Sequence, residues 1–384
     1  VFTRSADQQL FEETTKRFLD AECPPAKLRD LAGTKAGFEP SFWQQGAQLG
    51  WTSLAVPEAA GGGSVSGNRA ADLALVAFQF GLHAAPGPLT AVNVVAAALG
   101  RWGTDDHRAG PLSGLLTGET TAAWALAEPA PGDGLGQIEL KATTEGAGYV
   151  LDGVKTPVDG GAHADSFLVT ARAAEGLTHF LIPVDAPGVT VTALHGLDMT
   201  RRCARLELDG VVAPASSIVG QPGSADASLP WLLDLAVITQ VAEMCGAMTW
   251  AFDTTLDWAF NRYSFGRPLA SYQEIKHRFA DMKTWLEASL AIAASAVRAV
   301  DGDDPRERGA LVSAAKFYVG RYGVELLQDC VQLHGGIGVT FDHDLHLFLR
   351  RVVTNAPLYG TPGQHATRLA DLVVDDDTAA EVDR

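Results

Sequence analysis

Cysteine is scarce in this 384-residue chain, and the four present (Cys23, Cys203, Cys245, Cys330) stand far apart with no Cys-x-x-Cys pair. That spacing offers neither a disulfide frame nor a thiolate zinc site; it predicts reduced thiols in a cytoplasmic protein. Basic residues are also in deficit. Lys and Arg number 29 against 46 Asp and Glu, a net charge of -17. This balance excludes a nucleic-acid surface and an anionic membrane surface, although not a local basic pocket. No apolar run reads as long and uncharged enough to span a bilayer. The first residues, Val-Phe-Thr-Arg-Ser-Ala-Asp, carry no apolar signal core. Internal repeats, a Ser-His-Asp arrangement and a Gly-x-Ser-x-Gly motif are all missing. His334, His343, His346 and His365 lack the spacing and carboxylate support of a zinc site, so packing and surface roles are expected and no metal.

What is present is a sizeable apolar fraction, 47%, in a chain too long for one core. Residues 4 to about 120 read as helices, with apolar faces over Gln8 to Leu19 and Phe42 to Leu49, and Ala-rich stretches at Ala70 to Phe80 and Thr90 to Leu99. From about 122 the composition turns to strands: Ala122 to Ala127, Tyr149 to Lys155, Phe167 to Ala171, Phe180 to Val184, Val189 to Leu194 and Arg205 to Val212, with Gly and Asp turns between. No helix-length pattern interrupts them, so a barrel or sandwich is expected rather than a doubly wound nucleotide fold. From about 229 the chain is helical again. Trp231 to Phe260 is apolar on almost every side, as inside a bundle. Gln273 to Val300, Arg308 to Gln332 and Leu345 to Val353 follow, and Thr361 to Gln364 forms a capping box. The acidic tail from Asp375 reads as loose. The fold class is α+β, in three domains: 1–121 helical, 122–228 β and 229–384 a four-helix bundle.

Two stretches of the last third carry chemistry. The first is Arg262-Tyr-Ser-Phe265-Gly266-Arg267-Pro268, with Gln273 shortly after; the second is Gln332-Leu-His-Gly335-Gly336-Ile-Gly338. Arg supplies a planar, permanent charge, and glycine lets backbone N–H groups approach a phosphate closely. Taken singly, the glycines are ordinary turn residues and Arg262 a solvated charge. In this order, with "HDLHLFLRR" after them and "Leu-Gly-Trp … Val-Pro-Glu … Gly-Gly-Gly" before them, they resemble the acyl-CoA dehydrogenase family over nearly the whole chain. The HDLHLFLRR stretch looks most like the actinobacterial branch acting on steroid-derived CoA thioesters. The resemblance implies FAD as cofactor, an acyl-CoA as substrate, removal of an α-proton by a carboxylate, and an electron-transferring flavoprotein as the default acceptor. It also implies a flavin site shared between subunits. One subunit holds the flavin ring. Its neighbour reaches over with residues that match Arg262, Phe265, Gln273, Gln332, Gly335 and Gly336 here.

Measured against the family, the chain is deficient elsewhere. The family keeps its Glu base in one of two places. One lies before the Gly-Thr pair near the C-terminus, where Tyr359 stands, and a phenol of pKa about 10 is a poor base. The other lies 26 residues before the motif Arg, where Ala236 stands. Asp234 faces about 200° away on the helix; Glu243 returns to that face roughly 10 Å along and is the one weak substitute. Glu243 reads first as a residue paired inside a bundle. The flavin-ring motifs are eroded too. Glu128, Pro129 and Gly132 remain, but Asp133 and Gly134 replace the expected Ser and Asp. Pro157 replaces a Trp, and Asp159 an alcohol, so an acceptor-only carboxylate would meet the ring. Arg350-Arg351 reads as a CoA-phosphate contact or an ion pair with Asp342 or Asp344. The leading expectation is a base-less subunit of a heteromeric (α2β2) acyl-CoA dehydrogenase, sharing FAD with a homologous catalytic subunit. Three alternatives stay open: a self-sufficient homotetramer using Glu243 or Tyr359, a flavin-dependent monooxygenase, and a cofactor-free scaffold.

Overall fold

The computed structural model describes residues 4–34, 37–129 and 137–382. Helices come first: α1 (Ala6–Glu22), α2 (Pro25–Ala32), α3 (Pro40–Gln48), α4 (Arg69–Leu82), α5 (Leu89–Trp102), α6 (Asp105–His107) and α7 (Ser113–Thr117). Strands follow: β1 (Ala122–Ala125), β2 (Lys141–Glu145), β3 (Gly148–Val158), β4 (Ser166–Ala173), β5 (Gly176–Pro183), β6 (Val189–Ala193), β7 (Ala204–Pro214) and β8 (Ile218–Val219). The last part holds α8 (Ala225–Asn261), a hairpin of β9 (Tyr263–Ser264) and β10 (Arg267–Pro268), α9 (Gln273–Val300), α10 (Pro305–His334), α11 (Leu345–Asn355) and α12 (Pro362–Val382). The acidic segment expected to be loose therefore continues α12.

The chain divides into two compact units. One comprises Val1–Leu28, Ala74–Ala85 and Val237–Arg384; the other comprises Arg29–Leu73 and Pro86–Ala236. The second is built on an eight-stranded sheet ordered β6-β7-β3-β2-β4-β5-β8, with β1 parallel to β4. Its core is the inward face of these strands, including Leu151, Phe167, Val169, Phe180, Leu206 and Val211. β2 was not foreseen: only Ala142 of its five residues is buried, so it offers almost no apolar pattern. In β3 the register against β7 shifts between Lys155 and Val158. That irregularity accommodates Pro157, which has no N–H to give to a ladder.

The first unit is helical. α8 is long and apolar enough to cross a membrane by length and composition, contrary to the sequence reading, but 94% of that apolar window is buried in the protein. Two glycines let the backbones of α4 and α8 touch. A Cβ on Gly81 would lie 1.9 Å from the Glu243 carbonyl oxygen, and one on Gly246 2.1 Å from that of Phe78. α10 starts at Asp304, whose carboxylate accepts from the Arg306 and Glu307 N–H groups at 2.8 and 3.1 Å, with Pro305 in the first turn. α12 starts with the foreseen capping box. The Thr361 N–H donates to Gln364 Oε1 at 2.9 Å and the Gln364 N–H to Thr361 Oγ1 at 3.2 Å.

Candidate functional site

The two motif stretches meet at one end of the helical unit. As α8 ends, the Arg262 N–H donates to the Trp258 carbonyl at 2.8 Å. The hairpin then turns at Phe265 (φ 48°) and Gly266 (φ 81°), which leaves the Phe265 side chain 98% exposed. Tyr272 pins the hairpin: its hydroxyl donates to the Ser264 carbonyl at 2.8 Å, and the Arg267 guanidinium lies 3.8 Å over its ring. Gln273 opens α9, exposed. Arg278, farther along α9, lies 3.5 Å from Asp329 in the last turns of α10. This sets the start of α9 beside the end of α10, where Gln332 is exposed. Gly335 follows at φ 64° and ψ -140°, a conformation glycine alone adopts freely. A Cβ on Gly335 or Gly336 would have nothing within 4 Å, so their backbone is open to a ligand. Aromatic contact joins the stretches: the Arg262 guanidinium sits 5.7 Å from the Trp258 ring centre, and Trp258 stacks on His334 at 5.0 Å. All six residues expected to hold the cofactor's phosphate side thus lie, exposed, at this end. Among the described residues, no carboxylate pairs with Arg262.

Neither base position carries a carboxylate. Ala236 is fully buried in α8. Tyr359 has φ 57°, and its carbonyl accepts from His365 Nε2 at 3.1 Å. Burial pushes the His365 imidazole down to about 3. Glu243 is 5% exposed and engaged at both oxygens. Arg351 donates to its Oε1, and Asn355 Nδ2 donates to its Oε2 at 2.7 Å. Arg351, 1% exposed, also donates to the Ala85 carbonyl at 3.0 Å. Arg351 thus pairs with Glu243 and is buried away from any solvent-borne phosphate. The spacing of Leu347, Phe348 and Val352 around it was the signal that it faces inward. Next to this pair, Lys316 Nζ donates to Gln240 Oε1 at 3.1 Å and to the Asn355 carbonyl at 2.7 Å.

In the sheet unit, the segments matching the flavin-ring motifs are occupied by their own ion pairs. Lys155, fully buried, donates to Glu128 at 2.7 Å and to the Leu126 carbonyl at 3.1 Å. Glu128 also accepts from the Glu139 and Leu140 N–H groups, each at 3.0 Å. Burial alone would raise the Glu128 carboxyl, but Lys155 and these N–H groups hold it below its usual value. Burial in turn brings the Lys155 ammonium down to about 8. Asp159, 6% exposed, receives a hydrogen bond from Arg201 Nη1 at 2.6 Å. The bare acceptor expected at Asp159 is thus a neutralised pair; Arg201 was not foreseen because it lies on another segment. Pro157 follows a cis peptide bond, and the Thr156 N–H donates to the Ala127 carbonyl at 2.8 Å. Gly132, Asp133 and Gly134 lie outside the described residues.

Residues 5–119, 123–211 and 231–373 match, in turn, the N-terminal, middle and C-terminal domains of acyl-CoA dehydrogenase. Acyl-CoA dehydrogenase FadE27 of Mycobacterium tuberculosis is 30% identical over 94% of this chain and 96% of its own length. The ChsE4-ChsE5 complex from Mycobacterium tuberculosis superposes with a TM-score of 0.88 at 27% identity, covering 97% of this chain and 99% of that one. The Tcur3481-Tcur3483 steroid ACAD gives a TM-score of 0.87, also at 27% identity, over 97% and 98%. Matched in all three domains along most of its length, the chain belongs to the acyl-CoA dehydrogenase family.

Proposed function

We propose that this chain is the base-less subunit of a heteromeric FAD-dependent acyl-CoA dehydrogenase, in which a homologous subunit supplies the carboxylate base and the flavin-ring pocket. The carrying observation is the contrast within the chain. Arg262, Phe265, Gln273, Gln332, Gly335 and Gly336 are exposed at one end, while Glu243, the weak substitute for the base, is engaged by Arg351 and Asn355. The residues at that end fit the adenosine-diphosphate half of FAD. Arg262 can donate a charge-assisted hydrogen bond to a phosphate oxygen, and the open backbone of Gly335 and Gly336 can come close to one. Phe265 offers an apolar ring to whatever covers it. The ring side does not fit. The Lys155–Glu128 and Arg201–Asp159 pairs satisfy each other, and neither offers the flavin a hydroxyl donor. When bound, FAD accepts the hydride from Cβ of the CoA thioester; in this reading no residue of this chain takes the α-proton.

The two-name complexes among the relatives support a heteromeric partner, and the steroid name of one supports a bulky, steroid-derived acyl group. An electron-transferring flavoprotein is the acceptor the family implies. The test is Tyr359→Phe in the complex co-expressed with the homologous subunit. Enoyl-CoA formation should be unchanged. Loss of activity with flavin retained would make Tyr359 the base and restore the self-sufficient alternative.

A further inference from the structure

The stack of Trp258 on His334 belongs to neither motif's expected cofactor contacts, yet it connects them. His334 is 5% exposed and its Nδ1 lies 2.9 Å from the Cys330 carbonyl. A carbonyl only accepts, so the hydrogen sits on Nδ1 and Nε2 is bare. That Nε2 is buried without a hydrogen-bond partner, as is Trp258 Nε1. The His334 ring is held between Trp258, at 5.0 Å and 21°, and His343, at 4.5 Å and 60°. The next residue is Gly335, and four residues after Trp258 comes Arg262, whose guanidinium lies 5.7 Å from the same indole. A rigid aromatic link therefore runs from the guanidinium to the glycine turn. The turn is also folded back onto α10: a Cβ on Gly338 would lie 2.6 Å from the Val331 carbonyl oxygen.

We propose that the Trp258–His334 stack is a positioning pair that holds Arg262 and the Gly335–Gly336 turn in one fixed geometry for the phosphates of the cofactor, and that it does so only while His334 is neutral. This rests on the shared-site reading above. A proton on Nε2 would create a buried N–H with no acceptor, beside a second imidazole. An unmatched buried donor is costly. Carboxylates stand near in sequence, Asp257 beside Trp258 and Asp342 and Asp344 on either side of His343, but burial and His343 are what lower the His334 pKa. His343 opposes a positive charge. Asp329, on the same helix, lies 3.5 Å from the Arg278 guanidinium. From α11, Arg350 and His346 are turned against Phe341. The neighbouring Cys330 thiol is held protonated by burial. Burial, with a contribution from His343, lowers the His334 pKa below its ordinary value, in keeping with a ring built to stay neutral at physiological pH.

The experiment measures FAD affinity of the co-expressed complex, stripped of flavin and titrated with FAD by fluorescence quenching, between pH 7.5 and pH 5. Wild type should weaken at the acid end, by about tenfold per pH unit once His334 titrates. His334→Phe preserves the stack and removes the proton site. It should bind as tightly as wild type at pH 7.5 and hold that affinity at pH 5. His334→Ala should bind weakly at every pH. A wild-type profile parallel to that of His334→Phe, or a His334→Phe protein as weak as His334→Ala at pH 7.5, overturns the proposal. A readout free of cofactor runs beside it: acid should change the tryptophan fluorescence of wild type and not that of His334→Phe, and equal changes in both overturn it. Arg262→Ala separates the two levels of the argument. If it leaves FAD affinity intact, the shared-site reading falls and this proposal with it. If it abolishes affinity while wild type stays flat with pH, this proposal alone falls.

Discussion

At the hairpin end of the helical unit, a guanidinium, two glutamines and two open glycines face solvent with a fully exposed phenylalanine beside them. Around Glu243, in the same unit, the charges are enclosed: Arg351, Asn355 and two backbone carbonyls of the α4 terminus take up one another. Arginine and a side-chain amide occur in both settings, so residue type alone does not separate them. Burial and partner do. A charge that has its partner inside the chain serves the fold, and substrate chemistry needs groups that are still available. On this criterion the proposed reading gives Glu243 no role as a base. It likewise gives Lys155, Glu128, Asp159 and Arg201 no contact with the flavin ring. The exposed hairpin end is what remains.

The comparison breaks most visibly through the enclosed charges. Arg351→Ala leaves Glu243 buried with one partner fewer, and stability in urea should fall by about 3–5 kcal/mol. A loss below about 1 kcal/mol would mean that the pair is not enclosed as described. Next in size is Arg262→Ala, at the open end. FAD affinity of the complex should weaken roughly tenfold to a hundredfold, the range for a charge-assisted hydrogen bond, while the urea midpoint stays in place.

A pH series sharpens the same contrast. His365, deep in the helical unit, has its pKa pushed down to about 3 by burial. The unfolded chain, with an imidazole of ordinary pKa, takes up the proton first. Stability is therefore intact above about pH 6.5 and declines as pH falls toward 3, by up to about 1.4 kcal/mol per pH unit from this group. Urea midpoints of wild type and His365→Gln should converge over that interval. Smallest in stability is Phe265→Ala. Its folded-state cost should stay within about 0.5 kcal/mol, because nothing in this chain covers the ring. A larger cost would show that the ring is already packed in the free subunit.

Much of this was legible in the sequence, for identifiable reasons. α9 was foreseen at Gln273 to Val300 because its apolar period is clean and Gly302 follows its end. The capping box at Thr361 is a local pattern, and local patterns survive folding. The Arg262 stretch and the glycine turn stood out because their residues are chemically unusual and close in sequence, although the hairpin that the first forms was not expected. What was not legible is pairing at a distance. Arg351 and Glu243 are 108 residues apart, and Arg201 and Asp159 are 42 apart. No periodicity announces such pairs. β2 escaped because Lys141, Thr143, Thr144 and Glu145 present a polar face. The run of α12 through the acidic tail escaped because its charges read as solvation, when a long helix carries them equally well.

The central claim is that this chain contributes half of a flavin site. It is tested most directly by the flavin content of the chain purified alone and of the same chain co-purified with its homologous subunit. The account predicts a colourless lone chain, and a yellow, active complex with one FAD for each pair of unlike subunits. A lone chain that carries one FAD per subunit and oxidises an acyl-CoA would contradict it.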